Sequence, residues 1–337
     1  MTARTTTSAP PVPHRGATIL WTVVVPALVT LAGSALALSW RDELPDRVAS
    51  HWGRGGGVDG YSTLSTLLLG LGGLTLAFCA FMALVGTLAG RASMSRRFTC
   101  GMAVWFAVFL QAVLLSTLAP QRGLTDPSAA PDAAGGLGVA LVVACLAAIA
   151  VAWAVPGDEA IAASATPPPG ALRLDLGASE HAVWVGEVGQ RGVVVGVVGA
   201  ALLATVVSLA SGLWLFGVVL GVILVAVMAA TLRWTVTVDA RGLTARSLLR
   251  RPRVHVPLAE VEGAEVVDVD PMREFGGWGL RIGLDGRTGV VLRGGPAIQV
   301  RRSGGRVVVV TVDDAATGAA LLNTLAERGR ASTGSSG

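Results

Sequence analysis

Polar and apolar positions divide the chain into long oily runs and, from Arg233, a region of short strand-like stretches. No charged residue stands between Gly16 and Trp40. About 20 apolar residues suffice to cross a bilayer, so 17–39 is the first predicted span. Residues 64–88, 98–119 and 135–155 repeat the pattern. A further run over 192–232 carries no charge; as a single helix it would measure roughly 60 Å against a hydrocarbon core of about 30 Å. It therefore has to turn back. Ser211-Gly212 near its middle divides it into spans over 192–210 and 213–231. At Arg233 the period changes. RWTVTVD over 233–239 alternates as a strand does. Strand-like stretches follow at 242–249, 254–257, 261–269, 279–284, 298–302 and 306–312, the last two joined through Ser303-Gly304-Gly305. Asp313-Asp314 reads as a helix start, with Ala319, Leu321, Leu322 and Leu325 at helical spacing over 315–328. The predicted fold is an α-helical polytopic membrane protein of six spans, followed by a small C-terminal β-barrel capped by one helix.

Composition agrees with that class. The chain is 52% hydrophobic and 14% charged, with a mean hydropathy of +0.64, where soluble domains carry about 25% charged residues. All 26 basic side chains are arginine. Residues 1–232 balance arginines against acids, so the net charge of +4 lies wholly in 233–337. Cys79, Cys100 and Cys145 fall inside apolar runs and read as small buried hydrophobes. Arginine placement predicts the sides. Arg4, Arg15, Arg91, Arg96, Arg97, Arg173, Arg191 and everything from Arg233 onward fall on one side. Arg41, Arg47, Arg54 and Arg122, accompanied by acids, fall on the other. Both termini are thus expected in the cytoplasm of a multi-pass plasma-membrane protein, and Trp21, Trp153 and Trp234 at its inner interface. A cleaved signal peptide is the rival for the first run, since Ala35-Leu36-Ala37 resembles a cleavage site, but that run exceeds the usual signal core. Residues 1–16 and 331–337 are expected to be disordered. Residues 156–191, with Pro167-Pro168-Pro169, are expected to be a polar cytoplasmic connection. The predicted layout is 17–90 for two spans and their loop, 98–155 for spans three and four, 192–232 for a helical hairpin, and 233–330 for the barrel.

The stretch LPDRVASHWGRGGGVDGY over 44–61 carries the most specified chemistry. It holds one of four histidines and the only tyrosine. Its glycines open conformations closed to other residues, and Asp59-Gly60 signals a turn. Leu44, Pro45, His51, Trp52, Asp59, Gly60 and Tyr61 are its candidate contacts for a peptide or lipid outside the cell. Asp42, Glu43, Asp46 and Asp59 stand near His51, but one histidine without a second His or Cys is a poor metal set. No cofactor motif and no catalytic constellation stands in the sequence. Arg246, Arg250, Arg251 and Arg253 cluster on one predicted hairpin, and contact with anionic headgroups is weighed there against a solvated basic turn. No nucleic-acid signature accompanies them. The predicted spans hold no ionisable residue, which counts against a coupled transporter. Gln111 in the third is expected to make an interhelical hydrogen bond. Gly86/Gly90, Gly192/Gly196 and Gly217/Gly221 can bring helices close, within the chain or in a homo-oligomer.

Two resemblances follow. Leu44-Pro45, Val48, His51-Trp52, Gly57 and Asp59-Gly60-Tyr61 resemble the hallmark of the bacterial domain of unknown function 1648, known from SdpI-like immunity membrane proteins. Gly53 replaces the polar residue usual after His-Trp, and Thr63-Leu64 stand where a basic residue is usual. Residues 233–329, through FGGWGLR (275–281), GGPA (294–297) and LLNTL (321–325), resemble pleckstrin-homology-like domains of actinobacterial membrane proteins. The first resemblance implies an integral membrane protein concerned with envelope stress or toxin immunity; with no catalytic constellation in the sequence, the expected role is non-enzymatic sensing, immunity or scaffolding at the envelope. A passive transport or channel component is the alternative.

Overall fold

The computed structural model describes residues 12–53, 56–90, 92–177, 179–189, 191–211, 214–231, 233–283 and 285–334. The chain divides into two compact units, one of residues up to 158 with 201–222, the other of 159–200 with 223 onward.

In the first unit, α1 (Arg15–Ile19) and α2 (Val25–Ser39) form one rod joined by a π-helical turn over Leu20–Val24. Pro26 offers no N–H to the carbonyl of Thr22 and its ring crowds that oxygen; the widened turn just before it accommodates the mismatch. A hairpin of β1 (Val48–Trp52) and β2 (Val58–Ser62) follows. Helix α3 (Leu64–Ala89) opens at Thr63, whose hydroxyl accepts the Thr66 N–H. Helices α4 (Ser93–Leu118) and α5 (Ala134–Ala154) complete the set. Among the described residues four stretches are long and apolar enough to cross a membrane: Arg15–Ser39, Leu64–Leu88, Ser93–Gln121 and Gly135–Ala154. The helix expected to begin at 17 thus begins at Arg15, inside the stretch expected to be disordered.

Helix α4 is central, packing against α2, α3 and α5. Small residues set the approach: Cys100, Ala103 and Ala107 are fully buried. A Cβ on Gly86 would stand 2.8 Å from Thr18 and 2.9 Å from Thr99, so this glycine works inside the chain. The expected interhelical bond of Gln111 is not made. Its buried carboxamide presses on Gly33, where a Cβ would lie 2.3 Å from Oε1, and neither amide atom finds a protein hydrogen-bond partner.

The start of α4 also differs from expectation, and the reason lies outside the helix. The Asp158 carboxylate accepts the Ser93 N–H at 2.8 Å and its hydroxyl at 3.0 Å, so the helix begins before Arg96. Arg96 is fully buried. Its guanidinium donates to the carbonyls of Gly90, Pro156 and Gly157 and to Asp158, at 2.9 to 3.3 Å. Arg96→Met is expected to cost roughly 2–4 kcal/mol, because it strands those acceptors. Arg96→Lys would rescue little, since an ammonium cannot span the same fork. Thermal unfolding in nanodiscs would check both.

Helices α6 (Arg191–Ala210) and α7 (Trp214–Thr231) form the apolar pair predicted from the sequence, broken after Ser211. Their described apolar stretches, Val198–Ala210 and Leu215–Val227, are shorter than the four above. A Cβ on Gly217 would meet Ser208 at 2.7 Å and one on Gly221 would meet Thr205 at 3.0 Å, so this glycine pair also packs within the chain. The side-chain surroundings of Gly192 and Gly196 lie outside the described residues.

The second unit begins earlier than the sequence suggested. Strand β3 (Trp184–Gly189), inside the stretch expected to be a plain connection, pairs antiparallel with β4 (Arg233–Asp239), from Trp184 opposite Val238 to Gly189 opposite Arg233. The apolar helix pair is therefore an insertion between two neighbouring strands. With β5 (Gly242–Ser247) and β6 (Arg253–Pro257) these make a four-stranded sheet in the order β3-β4-β5-β6. The second sheet is built from β7 (Val261–Val269), β8 (Gly279–Ile282), β9 (Thr288–Val291), β10 (Gly295–Arg302) and β11 (Arg306–Thr311), in the order β7-β10-β11-β9-β8. A short helix α8 (Pro271–Phe275) follows β7, capped by Asp270. Among the described residues the two sheets share no ladder, so the expected closed barrel is instead a pair of sheets. The final helix α9 (Ala315–Gly334) packs against strands of both. Val236, Val238, Leu243, Val256, Ile298, Val308 and Leu322 fill the space between them.

Two further expectations change here. Trp234 is fully buried in this core, because it occupies an inward position of β4, so its ring is not free to anchor in a headgroup layer as expected. The tail expected to be disordered from 331 is helical to Gly334, since Arg328 and Arg330 tie the last turns to the carbonyls of Leu176 and Val261.

Candidate functional site

The β1–β2 hairpin places its chemistry by the ordinary logic of a two-stranded ladder. Gly60 stands opposite His51, and Trp52 opposite Val58, with an irregularity on either side of His51. A Cβ on Gly60 would fall 2.8 Å from the Cβ of His51, and one on Gly53 would fall 2.8 Å from Asp59 Oδ2. These two glycines make room for the two side chains, which meet: His51 Nδ1 lies 2.5 Å from Asp59 Oδ1. Both remain in solvent, at 73% and 53% exposure. A carboxylate on Nδ1 orients the ring and leaves Nε2 for a ligand. The connecting turn closes through Gly53 N–H to the Gly57 carbonyl and Gly56 N–H to the Gly53 carbonyl, both at 2.9 Å.

Residues outside the motif fasten the hairpin. Val48 and Ala49 are fully buried, Val48 in a cluster with Ala37, Leu114 and Leu118. The fully buried side chain of Gln121 accepts the Ala49 N–H at 2.7 Å and donates to the Ala49 carbonyl at 2.9 Å. It thus does for β1 what a third strand would do. The Trp52 indole N–H donates to the Ala130 carbonyl at 3.4 Å. Arg122 makes a two-pronged pair with Glu43, at 2.8 and 3.1 Å, and lies 5.1 Å from the centre of the Trp40 ring. Gly123 N–H donates to the Glu43 carbonyl at 2.7 Å. The two loops, 40–63 and 119–133, are therefore one fastened cap.

No known protein family, curated protein or solved structure matches this chain.

The structure brings together His51, Asp59 and Gly60, with Trp52 beside them and Tyr61 partly exposed on the same hairpin. Leu44 packs into the apolar cluster under the cap, where it supports the loop. Pro45 is half-buried. The acids near His51 in sequence separate in space: Asp59 takes the imidazole and Glu43 takes Arg122. Among the described residues no three of His, Cys, Asp and Glu converge on one point. A His–Asp pair is also part of hydrolytic triads, yet no hydroxyl or thiol among the described residues bonds to this ring. Sequence reasoning missed Gln121 and Arg122. Their only signal was position, directly after the third apolar run.

In the second unit, Arg246 and Arg253 stand opposite each other across β5 and β6, and Arg250 and Arg251 lie in the turn between. All four are exposed. His255 on β6 has its imidazole held below its ordinary pKa, chiefly by burial and then by the Arg253 charge; its Nδ1 lies 2.9 Å from the Thr244 hydroxyl.

Proposed function

We propose that the chain is a non-enzymatic, six-span membrane protein of the bacterial envelope, with both termini in the cytoplasm. In this reading the fastened β1–β2 cap faces outside and recognises a peptide or lipid in a sensing, immunity or scaffolding role. The motif residues ally it with the domain of unknown function 1648, and the two-sheet unit serves as a pleckstrin-homology-like module within the cell. The observation that supports this reading is the exposed His51–Asp59 pair. Glycines clear the space for it and a buried glutamine holds its strand, an investment that a mere linker between helices does not need.

Two measurements test it. A cysteine at Gly57, whose Cβ meets nothing within 4 Å, should react with an impermeant maleimide added to whole cells, while one at the C-terminus should not. A photoreactive phenylalanine at Tyr61 should then crosslink one envelope component. His51→Ala with Asp59→Ala should lower that yield by about ten-fold or more, as the loss of one charge-assisted contact implies, without altering insertion. Equal crosslinking in the double variant would remove the pair from recognition.

A further inference from the structure

The insertion of α6 and α7 between β3 and β4 fixes which end of the four-stranded sheet meets the apolar helices. Gly189 ends β3 two residues before α6, and Arg233 opens β4 two residues after α7. In the antiparallel ladder the same end carries the end of β5 and the start of β6. The turn that joins them is Ser247-Leu248-Leu249-Arg250-Arg251-Pro252, and its Leu248 N–H donates to the Arg233 carbonyl at 3.0 Å. A turn of this composition thus sits against the residue where the helix pair gives way to sheet.

Its surface is unusual for a turn in water. Leu248 and Leu249 are 63% and 52% exposed, side by side at the tip. Arg246, Arg250, Arg251 and Arg253 surround them, and none pairs with a carboxylate among the described residues. Arg246 and Arg253 face one another across the ladder, an arrangement of like charges that destabilises a sheet unless an anion lies nearby. Arg250 sits at φ 62°, where glycine or asparagine is easier. The turn is nevertheless built firmly: the Ser247 hydroxyl donates to the Arg251 carbonyl at 2.7 Å and the Arg250 N–H to the Ser247 carbonyl at 2.8 Å.

We propose that this tip is a membrane-docking wedge. Leu248 and Leu249 enter the headgroup–acyl boundary, and the four arginines bind anionic phospholipid phosphates around them. The proposal rests on the reading that α6 and α7 cross the bilayer, which would bring this sheet end to the membrane surface. Apolar tips ringed by arginine suit an anionic interface, where each basic residue adds to the attraction.

The test uses the full chain, with its native cysteines replaced, in nanodiscs of neutral or of partly anionic phospholipid. An environment-sensitive fluorophore is placed at Leu249→Cys, or as a control at Ala240→Cys in the turn at the opposite end of the sheet. The fluorophore at 249 is expected to brighten and shift blue on anionic nanodiscs. It should be quenched by lipids carrying a shallow spin label and should return toward its aqueous signal in high salt. The fluorophore at 240 should do none of these. Each arginine replaced by glutamine should lower the docked fraction ratio by about five-fold. An aqueous signal at 249 on anionic nanodiscs would overturn the proposal. So would a blue shift indifferent to lipid charge and to the quencher, which would mark burial against protein. A cysteine at Ser211, at the end of α6, tested with an impermeant maleimide on whole cells, separates the two failures. If it is labelled from outside while 249 stays in water, the wedge is wrong and the spans are right. If it cannot be labelled, the spanning reading falls first.

Discussion

Replacing Asn323 with leucine is expected to destabilise the sheet unit by about 3–5 kcal/mol, a large part of the 5–15 kcal/mol typical of a whole domain. Asn323 is fully buried on α9. Its Oδ1 accepts the Ala264 N–H at 2.8 Å; its Nδ2 donates to the Ala264 carbonyl at 2.8 Å and to the Leu172 carbonyl at 3.0 Å. Leucine has nearly the same size and fills the space, so little cavity arises. The cost comes chiefly from the buried N–H and carbonyl of Ala264 left without partners, each worth about 1–3 kcal/mol, with a smaller share from the part-buried Leu172 carbonyl. Asn323→Asp should be no milder, because it keeps the acceptor, loses both donors and buries a charge. Hydrogen exchange of β7 and thermal unfolding in nanodiscs would check this. A melting temperature unchanged in Asn323→Leu would show that Ala264 finds another partner.

Asn323 and Gln121 mark the boundary of what the sequence discloses. The long apolar helices were legible because 20-odd uncharged residues admit few alternatives, β4 because alternation on a half-buried sheet is a local signal, and β11 because its run of four valines between turn residues marks a buried strand. Strand β3 was not. It has six residues, its outward positions include Val185, and its partner lies beyond the whole α6–α7 insertion. β9 escaped for a related reason: its ladder to β11 is parallel, short and non-local. In the cap, the motif pointed to His51 and Asp59, and the structure joins them. The buried carboxamides that hold the frames were visible only as isolated polar letters at the end of an apolar run or inside a helix. Nothing in a sequence states that a glutamine will face the free edge of a strand 72 residues away. Arg96 taught the same lesson at the start of α4. It reads as an arginine of a charged turn and is in fact a fully buried hub for carbonyls.

Gln121→Leu should have the larger effect on function. The substitution removes both partners of Ala49, whose N–H and carbonyl are buried, and so should cost roughly 2–4 kcal/mol. Unlike the change at Asn323, the cost should be local. The hairpin has only two strands, and a pair of strands alone is marginal in water, so β1 and β2 would open while α2 to α5 stay packed. Amide exchange over 48–62 should accelerate about 30- to 1,000-fold at 1.4 kcal/mol per decade, with exchange in the helices unchanged. The capture expected at Tyr61 should vanish along with it, although no residue of the exposed pair has been touched. Arg122→Gln supplies the contrast. Its pair with Glu43 is more conspicuous, but both side chains are about half exposed, and such pairs contribute less than about 1 kcal/mol. The cap should therefore survive the loss of its visible ion pair and fail on the loss of a hidden amide. The reverse order of damage would mean that charge, and not a surrogate strand, holds His51 and Asp59 in place.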